Sequence, residues 1–125
     1  MPQHKTILVV DDDPDLRGAL AEQLHLQEEF RTAEAATGSD AVRLAREHKP
    51  DLILLDVDLP DMDGRETCRL IRKAGVGAPV IMLTAASTDS DTSLGREAGA
   101  NDSVTKPFKF AVLLARIRAQ LRSHE

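Results

Sequence analysis

Apolar residues recur along the chain in short unbroken runs separated by amphipathic stretches. Five runs have strand character: "TILVV" (6–10), "FRTAEA" (30–35), "LILLD" (52–56), "VIMLT" (80–84) and the weaker "DSVT" (102–105). The first, third and fourth are continuously apolar, the pattern of parallel strands covered on both faces. Five helical patterns alternate with them. "DDDPDLR" offers Asp13 as a cap and Pro14 at the first helical position, where a fixed φ and a missing N–H cost nothing. "TGSDAVRLAREHKP" is expected to start after Gly38, with Ser39 as its cap, and to end before Pro50. The last helix, expected within 109–125, carries Phe110, Leu113, Leu114, Ile117 and Leu121 as a single apolar stripe.

Regular βα alternation over this length predicts one α/β domain, residues 1–125, built as a doubly wound five-stranded parallel sheet. Linkers are short, and neither an internal repeat nor a low-complexity tail interrupts the pattern. In such sheets ligands bind outside the carboxyl ends of the strands, where the strand order reverses. The first strand ends in Asp11, Asp12 and Asp13, the third in Asp56, the fourth in Thr84, and the fifth runs into Lys106.

Composition narrows the chemistry. A net charge of −5 argues against a domain that binds nucleic acid through a basic surface and suits one that collects a cation. With Phe30, Phe108 and Phe110 as the only aromatic residues, the core must be Leu, Ile, Val and Ala. The single cysteine, Cys68, excludes an internal disulfide and reads as core filler. "MPQHKTILVV" has no signal-peptide apolar region, and no segment approaches the ~20 apolar residues of a membrane span, so a cytoplasmic protein is expected.

Carboxylates held together repel, and burial penalises their ionisation, so such a cluster recruits a cation or shifts its pKa values. Oxygen ligands that leave room for water and phosphate oxygens suit Mg²⁺. Lys106 and Thr84 would then neutralise and orient phosphoryl oxygens, and Asp56 is the natural nucleophile for an aspartyl phosphate. Singly these signals are weak. Asp12 and Asp13 can be helix caps, Thr84 a turn former, and Lys-Pro a surface loop; it is their joint placement at the strand ends that carries the reading.

At these residues the sequence resembles the receiver domain of bacterial two-component response regulators, the CheY-like (βα)5 flavodoxin-like fold. The matching stretches are "ILVVDDDPDLR", "PDLILLDVDLPDMDG", "PVIMLTA" and "GANDSVTKPF". The resemblance implies that Asp56 is the phosphoacceptor, Asp12 the direct metal ligand and Asp11 the acid that holds metal-bound water. It implies that Asp58 coordinates Mg²⁺ through its backbone carbonyl, and that Thr84, Lys106 and the backbone N–H of Ala85 contact the phosphoryl group. Pro107 would follow an unusual peptide geometry. Partners implied are a histidine kinase or phosphotransfer protein, read through Leu16 to Leu26 and the loop after the fifth strand. The chain would itself accept and slowly lose the phosphoryl group rather than act as an enzyme. "KFAVLLARIRAQLR" is similar to the OmpR-like class, whose receivers lead into a winged-helix DNA-binding domain. A receiver separated from such an effector is therefore expected over a single-domain protein, with output through the face of the fourth helix, fifth strand and fifth helix.

The sequence departs from that family at the switch. Ser103 stands where an aromatic is usual, and a serine cannot fill the space an inward aromatic would occupy. On the face through which the class dimerises, Val112 replaces an acidic and Thr92 a basic residue, leaving Glu97, Asp102, Arg116 and Arg118 for cross-subunit pairs; a weaker or rearranged homodimer is expected. Asp58 and Ala86 flank the path of hydrolytic water. Two rivals stand beside this reading. One is a D-x-D phosphatase using Asp56 and Asp58, disfavoured by placement of the motif on the third strand; the other is a partner-binding module independent of phosphorylation, suggested by Ser103.

Overall fold

The computed structural model describes residues 4–85 and 95–124. Strands β1 (Lys5–Val10), β2 (Phe30–Ala35), β3 (Leu52–Asp56), β4 (Val80–Thr84) and β5 (Asp102–Thr105) follow the expected runs. Helices α1 (Pro14–His25), α2 (Gly38–His48) and α3 (Gly64–Lys73) and a last helix, Phe110–Ser123, lie between and after them. The fourth helical pattern falls largely on 86–94, outside the described residues together with Ala86 and Thr92; its described part, 95–97, is helical.

All strand pairs are parallel, in the order β2-β1-β3-β4-β5. The chain leaves β1 toward β2 and returns on the other side at β3, so strand order reverses between β1 and β3. The doubly wound sheet read from the pattern is the fold observed. Alternate strand residues feed a core on each face. Ile7, Val9, Leu52, Leu54, Ile81 and Leu83 pack on the side of α1 and the last helix. Leu8, Val10, Ile53, Leu55, Val80 and Met82 pack on the side of α2 and α3. Leu52 to Leu55 are fully buried, each contributing roughly 2 kcal/mol of transfer free energy. That burial anchors β3 and fixes where its terminal Asp56 emerges.

Capping follows the sequence for α1 and departs from it for α2. Asp13 Oδ1 accepts from Asp15 N at 3.0 Å and from Leu16 N at 3.3 Å, with Pro14 in the first turn. Helix α2 begins at Gly38 itself, and its cap is Thr37, which accepts from Asp40 N at 3.1 Å. Ser39 lies inside the helix rather than capping it, because Asp61 from the β3–α3 loop takes the free N–H groups of Gly38 and Ser39 at 2.7 and 2.9 Å. Lys49, in the left-handed conformation at φ 46°, closes α2 before Pro50. Cys68 is a buried free thiol, as expected of filler. Among the described residues no helix is long and apolar enough to cross a membrane.

Candidate functional site

Val10 pairs with Leu55, so the next residue on each strand, Asp11 and Asp56, comes side by side where strand order reverses. Asp11 continues the row of Ile7 and Val9, Asp56 that of Leu52 and Leu54, and Lys106 that of Val104. All three rows face the cluster beneath α1 and the last helix, so period-two alternation sends these side chains to one side of the edge. Asp11 is 2% and Asp56 6% exposed. Lys106 Nζ lies 3.0 Å from Asp11 Oδ2 and 3.3 Å from Asp56 Oδ1. One oxygen from each of Asp11, Asp12 and Asp56 falls within 4.8 Å of the others, and Asp12 is exposed. An oxygen-only donor set with one open flank fits a hard cation such as Mg²⁺.

The electrostatics follow from crowding. Burial raises the Asp56 carboxyl above its ordinary range and the Asp11 charge raises it further, while Lys106 and the backbone N–H of Asp58, 3.3 Å from Asp56 Oδ1, pull the other way. Burial works to lower the Lys106 ammonium. The Asp11 hydrogen bond and the charges of Asp11 and Asp56 outweigh it, so Lys106 titrates above an ordinary lysine. One ammonium thus serves two carboxylates, and a net negative charge is left for a cation or phosphoryl group to meet.

The remaining residues singled out from sequence lie beside this cluster. Thr84, Ala85, Asp58 and Ser103 line a cavity of about 200 Å³ together with Val57, Met82 and Arg65. Thr84 pairs in register with Thr105, one residue before Lys106, so the hydroxyl and the lysine share one edge. The Lys106–Pro107 peptide is cis, in accord with the unusual geometry expected there. On the outer face Val112 is an exposed large apolar residue and Glu97 is exposed. Arg116 pairs within the chain with Asp102 at 3.1 Å and Arg118 with Glu29, so both arginines expected to be available to a second subunit are already engaged.

Three contributors were not read from sequence. A Cβ at Gly64 would fall 2.8 Å from Val57 Cα and closer still to the Asp56 carbonyl, while Gly64 N donates to Val57 O at 2.7 Å. Only glycine lets the loop fold this tightly over the end of β3. Asp61 latches that loop to α2, and Arg17 reaches the Asp11 carbonyl at 2.8 Å. The "DG" at 63–64 was a legible turn signal. Asp61 acts on residues brought near by folding and had no local signal, whereas Arg17 lies in the same "DDDPDLR" stretch as Asp11, six residues on, and its reach back to that carbonyl was not read.

Comparison with known proteins agrees with this arrangement. The family model for the response regulator receiver domain matches residues 7–118. The DNA-binding response regulator MtrA of Mycolicibacterium smegmatis is 50% identical over 119 residues, 95% of this chain and 51% of that protein. The transcriptional regulatory protein AfsQ1 of Streptomyces coelicolor is 48% identical over 120 residues, 96% of this chain and 52% of that protein. The chain therefore spans about half the length of the curated relatives it matches. Among solved structures, a CheY-like receiver domain protein from Methanospirillum hungatei superposes with a TM-score of 0.90 at 29% identity, covering 97% of this chain and 96% of that one. The BeF3-activated DrrB receiver domain gives 0.83 at 40% identity, covering 96% and 99%. With strand order, acidic edge and lysine all in agreement, the chain belongs to the response regulator receiver domains of two-component signalling.

Proposed function

We propose that Asp56 is the phosphoacceptor of this receiver, taking a phosphoryl group from a histidine kinase or phosphotransfer protein in a Mg²⁺-dependent step. The observation that carries the reading is Lys106 Nζ set between Asp11 and Asp56, at 3.0 and 3.3 Å, where two buried carboxylates meet. An Asp56 carboxylate oxygen attacks phosphorus, the bond from phosphorus to the donor nitrogen breaks with its electron pair leaving on the imidazole, and an acyl phosphate forms. Asp11, Asp12, Asp56 and the Asp58 carbonyl would hold Mg²⁺, whose charge offsets that of the carboxylates and phosphoryl oxygens. Lys106 would turn from the carboxylates to a phosphoryl oxygen, and the Thr84 hydroxyl and Ala85 N–H would donate to others. The chain accepts and slowly loses the group itself.

The output belongs to the full protein. Relatives named as DNA-binding and transcriptional regulators, each about twice this length, support control of transcription through a separate effector domain, in an OmpR-like manner. The face of β5 and the last helix, with exposed Val112, would carry the signal or a homodimer. A location in the cytoplasm accords with a kinase partner.

Intact mass after incubation with acetyl phosphate, with and without Mg²⁺, tests the reading. A single Mg²⁺-dependent, alkali-labile phosphoryl adduct, absent from Asp56→Asn, is expected. No adduct at any donor concentration would overturn it, and a receiver-like module that binds partners without phosphorylation would take its place, the reading that Ser103 favours.

A further inference from the structure

We propose that Arg17 is a positioning residue of the cation site, an inference that rests on the reading of Asp11, Asp12 and Asp56 as Mg²⁺ ligands. A guanidinium is an unexpected neighbour for such a site. By Coulomb's law it competes with the cation it adjoins. The geometry gives it a different task. Arg17, with its side chain 19% exposed, sends Nη1 to the Asp11 carbonyl at 2.8 Å and Nε to Glu34 Oε1 at 3.1 Å. Asp11 N donates to Ala35 O at 3.1 Å, next to Glu34 on β2, so the backbone of Asp11 is held through its N–H by β2 and through its carbonyl by α1.

The rest of the turn is fixed from the same elements. Asp13 N donates to Asp11 Oδ1 at 3.0 Å, and Arg17 N donates to Asp13 O at 2.9 Å. Asp12 therefore sits between two anchored residues, with its exposed side chain as its freedom. Glu34 cancels most of the Arg17 charge, so the pair can hold the turn at little electrostatic cost to a nearby cation. An ion pair as exposed as Arg17–Glu34 is ordinarily worth little in stability. The bond to the Asp11 carbonyl is what such a surface pair lacks.

Charge and position predict opposite signs, which makes the proposal testable by calorimetric titration with Mg²⁺. If Arg17 positions the turn, Arg17→Ala weakens Mg²⁺ binding roughly tenfold, the low end for groups that orient metal ligands. The charge-balanced double variant Arg17→Ala/Glu34→Gln stays equally weak. If Arg17 acts only through its charge, Arg17→Ala binds Mg²⁺ more tightly than the wild type and the double variant returns to wild type; that result, or unchanged affinity, overturns the proposal. Should Arg17→Ala not fold, Arg17→Lys decides, because it keeps the charge and loses the fork: weaker Mg²⁺ binding supports positioning and unchanged binding refutes it. A wild type that takes up no Mg²⁺ would remove the underlying reading and this proposal with it, whereas a wild type that binds and a variant that does not weaken would remove this proposal alone.

Discussion

The two halves of the sheet's carboxyl edge are built on different terms. Around β1 and β3 the groups touch: Asp11 and Asp56 are buried and share one ammonium, that of Lys106. Toward β5 the groups line a space of about 200 Å³, in which Ser103 stands where a larger side chain is usual in the family. The first half is specified by short contacts among charges, the second by what fills a volume. No atom of Ser103 belongs to the Asp11–Lys106–Asp56 contacts, so phosphoryl acceptance is expected to tolerate a change at Ser103 even though Thr84, Ala85 and Asp58 line the same cavity.

The largest effect is expected where the charges meet. Lys106→Met removes the ammonium between two buried carboxylates. Phosphorylation at saturating Mg²⁺ should slow roughly 100-fold, the usual loss when one preorganised donor to developing charge is deleted. Mg²⁺ affinity should rise, because a competing cation has gone. A time course by intact mass and a Mg²⁺ titration check both signs; an unchanged rate would make Lys106 a structural residue only. Gly64→Ala comes next. Its Cβ would meet the backbone of Asp56 and Val57, and overpacking against main chain should cost about 2 kcal/mol in urea unfolding. Gly77→Ala, with open space around the added carbon and no left-handed backbone, is the control expected to cost nothing.

Much of this was legible before the structure. The five runs predicted β2 to β5 to the residue and β1 to within one, at Lys5; for β3 and β4 the reason is that continuous apolar runs have one economical use in a βα chain. The acid and lysine positions followed from the rule that ligands gather at strand ends. Thr37 was legible but not read: Thr37 and Asp40 stand three apart, close to a capping box, and the cap was assigned to Ser39 instead. Asp61 was not legible, since its partners Gly38 and Ser39 lie 23 and 22 residues away. Arg72 is of the same kind, joining α3 to the carbonyls of Val76, Ala78 and Gly99 and to the Asn101 side chain. Periodicity reports which face a residue occupies, and is silent about which loop a long polar side chain will reach.

A smaller effect tests the second half of the edge directly. Ser103→Phe should fill part of the cavity and stabilise the fold by about 1 kcal/mol, a common gain for cavity filling. The rate of phosphorylation should not change. A rate that falls would show that the two halves are coupled through this volume after all.

The smallest effect carries a sign that tells the two regions apart. Backbone N–H groups of Gly38 and Ser39 hold the exposed Asp61 carboxyl below its ordinary range, whereas burial holds Asp56 above it. A carboxyl whose pKa is depressed on folding contributes stability that is present above its unfolded value, near 3.8, and is lost as pH falls through the folded value. The melting temperature of Asp61→Ala should therefore lie below that of the wild type at neutral pH, with the gap closing in acid. Asp56 has the opposite linkage: its folded form holds the proton more tightly, so its contribution becomes unfavourable as pH rises from 3.8 through the raised value. In Mg²⁺-free buffer Asp56→Asn should gain on the wild type as pH rises, while Asp61→Ala falls behind it. Parallel pH dependence of the two gaps would mean that contact with Lys106, rather than burial beside Asp11, governs Asp56.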